Sequence, residues 1–292
     1  METGDLARFL FEIASPERLG ILALLSEKPR RHAEVARNLD LTGSEATRHL
    51  NRLTNAGLVT KDPSGAYVPT GVGRVLLAGL PFWEYLSQHR TFLLTHDVLA
   101  VGGEFVARLG ELGRASFTHG TYHVVAVQED ALRTVRERLW VVTEQMFAQA
   151  IPILRDKAAA GADVRVIRPR PAVQQELRSS VRIDRNFPVR LVERTEVFLA
   201  VLDDQAGVCF PSFDGRVDMA TMLLMTDPEG MRWSTDLFLS FWERSQPWLT
   251  PPGRTPAEGS RAGVRVRPPP TSGTPAPTER MPRARKVPPR TG

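Results

Sequence analysis

The sequence has a single cysteine, three tyrosines and six histidines in 292 residues. The lone thiol, Cys209, rules out an intrachain disulfide and cannot supply the paired thiolates of a zinc or arsenic-type sensor site, which fits a reducing interior. Apolar runs are broken by charge well short of the ~20 residues that span a bilayer. No basic start is followed by an apolar core and a small-residue cleavage site. A cytoplasmic protein with no membrane partner is expected. Charge of one sign is also scarce once the chain is divided. Of the net +5, the stretch from Thr250 to Gly292 carries nine basic and two acidic residues, a surplus of +7, so the rest sums to −2. Residues 1–79 hold ten basic and nine acidic side chains, which excludes a general polyanion binder in that part.

What is present is concentrated between Ala33 and Leu58, AEVARNLDLTGSEATRHLNRLTNAGL. Two short amphipathic helices meet there at a tight polar turn. Thr42 is placed to cap the second helix with Glu45 as its reciprocal partner, a capping box, and Gly57 marks its end as a left-handed cap. Stepping 100° per residue puts Ala46, Leu50 and Leu53 on one face with His49 at its margin. Ser44, Thr47, Arg48, Asn51 and Asn55 swing to the other. An arginine fork matches guanine O6 and N7, an asparagine amide matches adenine N6 and N7, and short hydroxyls reach phosphates. A solvated helix surface is the competing reading. Val59-Thr60-Lys61, the turn Asp62-Pro63-Ser64-Gly65 and Ala66-Tyr67-Val68-Pro69 then read as a small hairpin with Lys61 near its base.

Upstream, Leu6, Phe9, Leu10 and Ile13 predict a helix over Asp5 to Ile13, and Ser15-Pro16 caps and starts another that stops near Lys28-Pro29. Thr70 is expected to cap a helix from Gly71 to Leu80. Leu80 to Leu112 is rich in apolar residues and reads as an irregular helical connector interrupted at Gly102-Gly103. Beyond Ala115 the pattern predicts a buried strand at His123 to Val127, then one long helix from Glu129 to Ala160, bent before Pro152 and ended by Gly161. Strands follow at Asp163 to Ile167, Val189 to Glu193, Val197 to Asp203, Gly207 to Pro211 and Ala220 to Met225. Short and closing helices are expected at Ala172 to Ser179 and Met231 to Ser245. A parallel crossover with antiparallel additions fits this order. Pro247 onward is proline- and arginine-rich and cannot bury enough apolar surface to fold alone.

The runs ASPERLGILALL, HAEVARNLDLTGSEATRHLNRLTNAGLV and YVPTGVGRVLL resemble the winged helix-turn-helix module of ArsR-like and related archaeal regulators. The resemblance implies that the helix from Thr42 to Ala56 enters the major groove while the hairpin, as a wing, meets the backbone or minor groove. The metal-sensing cysteines of ArsR proteins have no counterpart here. Residues of about 82 to 248, through SFTHGTYHVVAV, MFAQAIPIL, GADVRVIRP, VERTEVFLAVLDDQAGVCFPSFDG and WSTDLFLSFWERSQPW, resemble the effector domain of the archaeal methanogenesis-regulatory-protein family. That domain has a distant likeness to half of a phospholipase D fold.

The phospholipase D likeness calls for a His-x-Lys-x4-Asp signature, and none of His89, His96, His119 or His123 has lysine two residues later. His119 and His123 are a weak pair for a metal. Gly71-Val72-Gly73 lacks the third glycine and the strand-to-helix setting of a nucleotide loop. Asp203, Asp204, Asp214, Asp218, Arg168, Arg170 and Arg190 read either as solvated strand ends or as an effector pocket.

The expected fold class is therefore a multidomain α+β or α/β chain: a winged helix-turn-helix at 1–79, a helical connector and candidate dimer interface at 80–112, a mixed α/β effector domain at 113–248 and a disordered tail at 249–292. The expected function is a sequence-specific, DNA-binding transcriptional regulator, a homodimer on double-stranded DNA whose α/β domain senses a small-molecule or protein effector. Its DNA contacts are expected from Ser44, Thr47, Arg48, Asn51, Arg52 and Lys61, with no metal, cofactor or catalytic residue. The alternatives are an enzyme, methyltransferase-like or phosphodiesterase-like, that dimerises through the winged helix, and a protein-binding adaptor.

Overall fold

A helical N-terminal part precedes a mixed α/β part in the computed structural model, which describes residues 3–144, 146, 150–178 and 187–248. The tail expected to be disordered, 249–292, lies outside the described residues. α1 (Thr3–Ile13) and α2 (Pro16–Glu27) are joined at Ser15, whose side chain accepts from the Arg18 amide just before a proline that opens α2. α3 (His32–Asn38) and α4 (Gly43–Asn55) follow, then the antiparallel hairpin β1 (Val59–Lys61) and β2 (Tyr67–Pro69). Ile21, Leu22, Leu25, Val35, Leu50, Leu53 and Leu58 are buried together as the core of this part, the burial that the amphipathic spacing demands.

α5 (Gly71–Gln88) starts at Thr70, whose side chain accepts from the Gly73 amide. It does not stop near Leu80 as the sequence suggested. It continues through Pro81 to Gln88, carrying Leu76 and Leu77 against the N-terminal core and Tyr85 into the core of the sheet. The 79/80 junction thus falls inside one helix. α6 (Arg90–Leu93), a 3-10 turn at Val98–Val101, α7 (Gly103–Val106) and a second 3-10 turn at Leu109–Leu112 make the irregular connector. It breaks at Gly102, where φ is +94°.

The next elements differ from those the apolar spacing predicts. β3 (Ser116–His119) ends at Gly120, φ +92°, and the expected strand at His123 to Val127 is the first half of α8 (Thr121–Thr134). Only one side of that segment is buried: Val124 is fully enclosed and Ala126 exposed, a helical pattern. The expected long helix from Glu129 to Ala160 is broken by β4 (Arg138–Val142), in which Leu139 to Val142 are all buried. A continuous apolar run covered on both faces belongs to a central strand, though its spacing also satisfies a helix. α9 (Ala150–Ala159) resumes after it.

β5 (Asp163–Pro169), α10 (Arg170–Arg178), β6 (Val189–Val192), β7 (Phe198–Val201), β8 (Ala206–Cys209), β9 (Thr221–Met225), α11 (Pro228–Arg244) and β10 (Gln246–Pro247) complete the order. The eight-stranded sheet runs β10-β6-β5-β4-β7-β8-β9-β3. β4, β5 and β6 are parallel neighbours, and the remaining pairs are antiparallel. One face packs on α11 and the connector through Trp140, Val142, Leu199, Val208, Trp233 and Phe238. The other packs on α8 and α9 through Val124, Leu139, Leu154 and Val166. Among the described residues no helix is long and apolar enough to cross a membrane.

Candidate nucleic-acid interface

α4 is fixed at its start by two reciprocal bonds. The Glu45 amide donates to Thr42 Oγ1 at 3.3 Å, and the Thr42 amide donates to Glu45 Oε2 at 2.9 Å. The bond from the Thr42 hydroxyl, then the Thr42 amide, hold the Glu45 carboxyl below the usual range, as suits an anion at a helix N-terminus. Ala46, His49, Leu50 and Leu53 are buried, whereas Ser44, Thr47, Arg48, Asn51 and Asn55 are exposed. Gly57, φ +71°, turns the chain out of the helix.

The expected contact residues are differently engaged. Arg48 and Asn51 carry no hydrogen bond or ion pair to any described residue and stand open on the face. Ser44 Oγ lies 3.1 Å from Thr42 Oγ1. Thr47 donates its hydroxyl to the Gly43 carbonyl at 2.8 Å, and His32 Nε2 approaches both Thr47 Oγ1 (2.9 Å) and the Gly43 carbonyl (3.1 Å). His32 was not among the residues singled out from sequence. Since the Gly43 oxygen only accepts, Nε2 must bear a proton to bond it. Arg52 is turned away from the open face: its guanidinium holds Glu12 of α1 and lies 5.3 Å from the Phe11 ring centre. The Arg52 bond keeps the Glu12 carboxyl below the usual range.

Lys61 Nζ sits 5.1 Å from the ring centre of its cross-strand partner Tyr67, and this pair flanks the turn, so Lys61 stands at the tip of the hairpin and not near its base as expected. The turn is built by Asp62, whose Oδ1 accepts from the amides of Ser64 (2.9 Å) and Ala66 (3.0 Å), with Gly65 at φ +81°. A further bridge ties the hairpin to the approach of α3: the Arg30 amide donates to the Tyr67 carbonyl at 3.2 Å, and the Tyr67 amide to the Arg30 carbonyl at 2.8 Å. Helix pair and hairpin are therefore one braced unit.

In the α/β part the charged residues noted from sequence do not converge. Asp203 accepts from the amides of residues 136–138, Asp218 from His96 Nε2 (3.0 Å) and the Ala220 amide (2.9 Å). Arg190 binds Ser245, and Arg170 binds Glu193 and Gln246. His119 and His123 are exposed, and among the described residues no three His, Cys, Asp or Glu side chains cluster to hold a metal. Cys209 is buried, and burial with the nearby Asp218 charge pushes its thiol up to about 12.

Residues 6–84 match the family model described as the HVO_A0261 N-terminal domain, which covers most of α1, α2 to α4, the hairpin and most of α5. No curated protein matches the chain. Among solved structures, similarity is found to TrmBL2, described as an archaeal chromatin protein with a novel mode of DNA binding, at 12% identity and TM-score 0.39 over 80% of this chain and 94% of that one. Nuc of Salmonella typhimurium, a phospholipase D family member, is similar at 8% identity and TM-score 0.35 over 47% of this chain and 98% of that one. NucT of Helicobacter pylori is similar at 13% identity and TM-score 0.37 over 46% and 98%. At these TM-scores none of the likenesses bears on what the chain does.

Proposed function

We propose that this chain is a sequence-specific DNA-binding transcriptional regulator in which α1 to α5 with the β1–β2 hairpin form a winged helix-turn-helix. α4 is its recognition helix and the hairpin its wing. The observation that carries this reading is the open face of α4. Arg48 and Asn51, the two side chains suited to base edges, are exposed and uncommitted on a helix whose start is fixed by a capping box. The match of residues 6–84 to one domain model supports the same N-terminal unit. Ser44, Thr47 and Lys61 are assigned to phosphate or groove contacts. Arg52 is reassigned from contact to bracing because Glu12 occupies its guanidinium.

The regulator acts as a homodimer, and the α/β part serves as an effector domain rather than an enzyme. α5, which runs from the hairpin into the sheet core, is the mechanical link between the two. An effector alters DNA binding only so far as it prefers one spacing of the paired winged helices. Retention of genomic fragments by the full chain tests the reading: saturable, sequence-selective binding is expected. Equal retention of unrelated fragments, or none, would overturn it.

A further inference from the structure

The two faces of the eight-stranded sheet are covered differently. α11 lies across β4, β7 and β8 on one face. On the other, α8 packs on β3 and β9 and α9 packs on β5, which leaves a gap over the strands between them. The floor of that gap is low because Ala200 of β7 and Gly207 of β8 are direct cross-strand partners. A Cβ at Gly207 would lie 2.8 Å from Met222 Sδ, so a side chain there would displace that methionine. The result is an apolar chamber with about 70 Å³ of open space, walled by Leu132, Val141, Leu154 and Phe198 and edged by Met146 and Met222.

We propose that this chamber is a binding site for an uncharged small molecule with a slender apolar body. Close-packed interiors do not keep apolar space of this kind without cost, and apolar walls with a few placed polar groups are the usual lining of small-molecule sites. Among the described residues no charged side chain lines it; its polar groups include the amides of Gln128 and Gln205. Past Ala131, Leu202 and Gln205 it adjoins a polar recess that carries Arg136 against Glu137, Asp203 and Asp204. That surplus of acid repels an anionic headgroup. With only about 70 Å³ open, the chamber suits an alkyl chain better than a fused ring system. The two methionines can shift to admit it. The site stands on the chamber alone; its role as the effector site rests on the regulator reading above.

The test uses the full chain and 1-octanol as probe, with octanoate as its charged counterpart, read by thermal melting. Octanol raises the melting midpoint saturably, by about 3 °C at ten times the half-saturating concentration, and octanoate is at least tenfold weaker. Ala200→Leu, which fills the floor, weakens the octanol response at least tenfold. Leu132→Ala, at a half-exposed wall, shifts half-saturation at least threefold and serves if Ala200→Leu does not fold. No saturable octanol response in the natural chain, equal response to octanoate, or an unchanged half-saturation in a folded variant overturns the site. DNA retention without probe is measured separately, so failure of the regulator reading is distinguished from failure of the chamber.

Discussion

Arg52 of α4 grips Glu12 of α1 at two points, Nε to Oε2 at 2.9 Å and Nη2 to Oε1 at 2.8 Å, so the side of the helix next to its open face is spent on holding α1 in place. Two-point arginine–carboxylate pairs are the directional kind. Arg52→Ala is expected to lower the thermal midpoint, whereas Arg48→Ala on the open face leaves it unchanged. Melting of both variants checks this; a neutral Arg52→Ala would return that residue to the list of DNA contacts.

The start of α4 makes a second prediction. Thr42→Ala removes the side-chain acceptor for the Glu45 amide, and loss of such a cap costs about 1 kcal/mol. Urea denaturation measures the loss. Thr42→Ser, which keeps the oxygen, should recover most of it.

Gly73 lies where α5 crosses under the Leu58 carbonyl, and a Cβ there would collide with that oxygen and sit 3.3 Å from Pro69 Cβ. Gly73→Ala is expected to cost ~1–3 kcal/mol by overpacking a rigid backbone contact. Gly110 is equally constrained against Pro81 and Phe82, with a Cβ only 2.7 Å from the Phe82 amide nitrogen. Both losses are read from denaturant midpoints, and an equal midpoint for either variant would mean that α5 is not seated as described.

His96 and Asp218 tie the connector to the loop before β9. Burial opposes ionisation of Asp218, but the Ala220 amide and the bonds from His96 and Thr221 outweigh it and hold the carboxyl below its usual range. A carboxyl depressed in the folded state stabilises it above the unfolded value of about 3.9 and loses that contribution as pH falls through the folded value. Asp218→Asn should therefore cost less stability near pH 3 than near pH 6. A cost independent of pH would assign Asp218 a role that does not involve its charge.

The N-terminal elements were legible because their signals are local. Ser15-Pro16, the Thr42–Glu45 box and the Asp62–Gly65 turn each lie within four residues, and the helices bury one side. The strands from β5 to β9 were legible from short apolar runs between turn residues. The segment around α8 and β4 was not. Apolar residues from Val124 to Val142 fit a helix or a buried strand by spacing alone, and only the sheet's two covered faces decide which. The open face of α4 followed from helical period, but the capture of Arg52 joins residues 40 apart and the His32–Thr47 contact residues 15 apart, with no local signal for either.

The central claim is that Arg48 and Asn51 read DNA bases. It is tested most directly by measuring, at one fixed salt concentration, the affinity of the full chain and of Arg48→Ala and Asn51→Ala for a fragment selected by the natural protein. Each substitution is expected to cost ~1–3 kcal/mol of binding and to relax sequence preference at one position, with melting unchanged. Unaltered affinity in both variants, with Lys61→Ala equally neutral, would contradict the account.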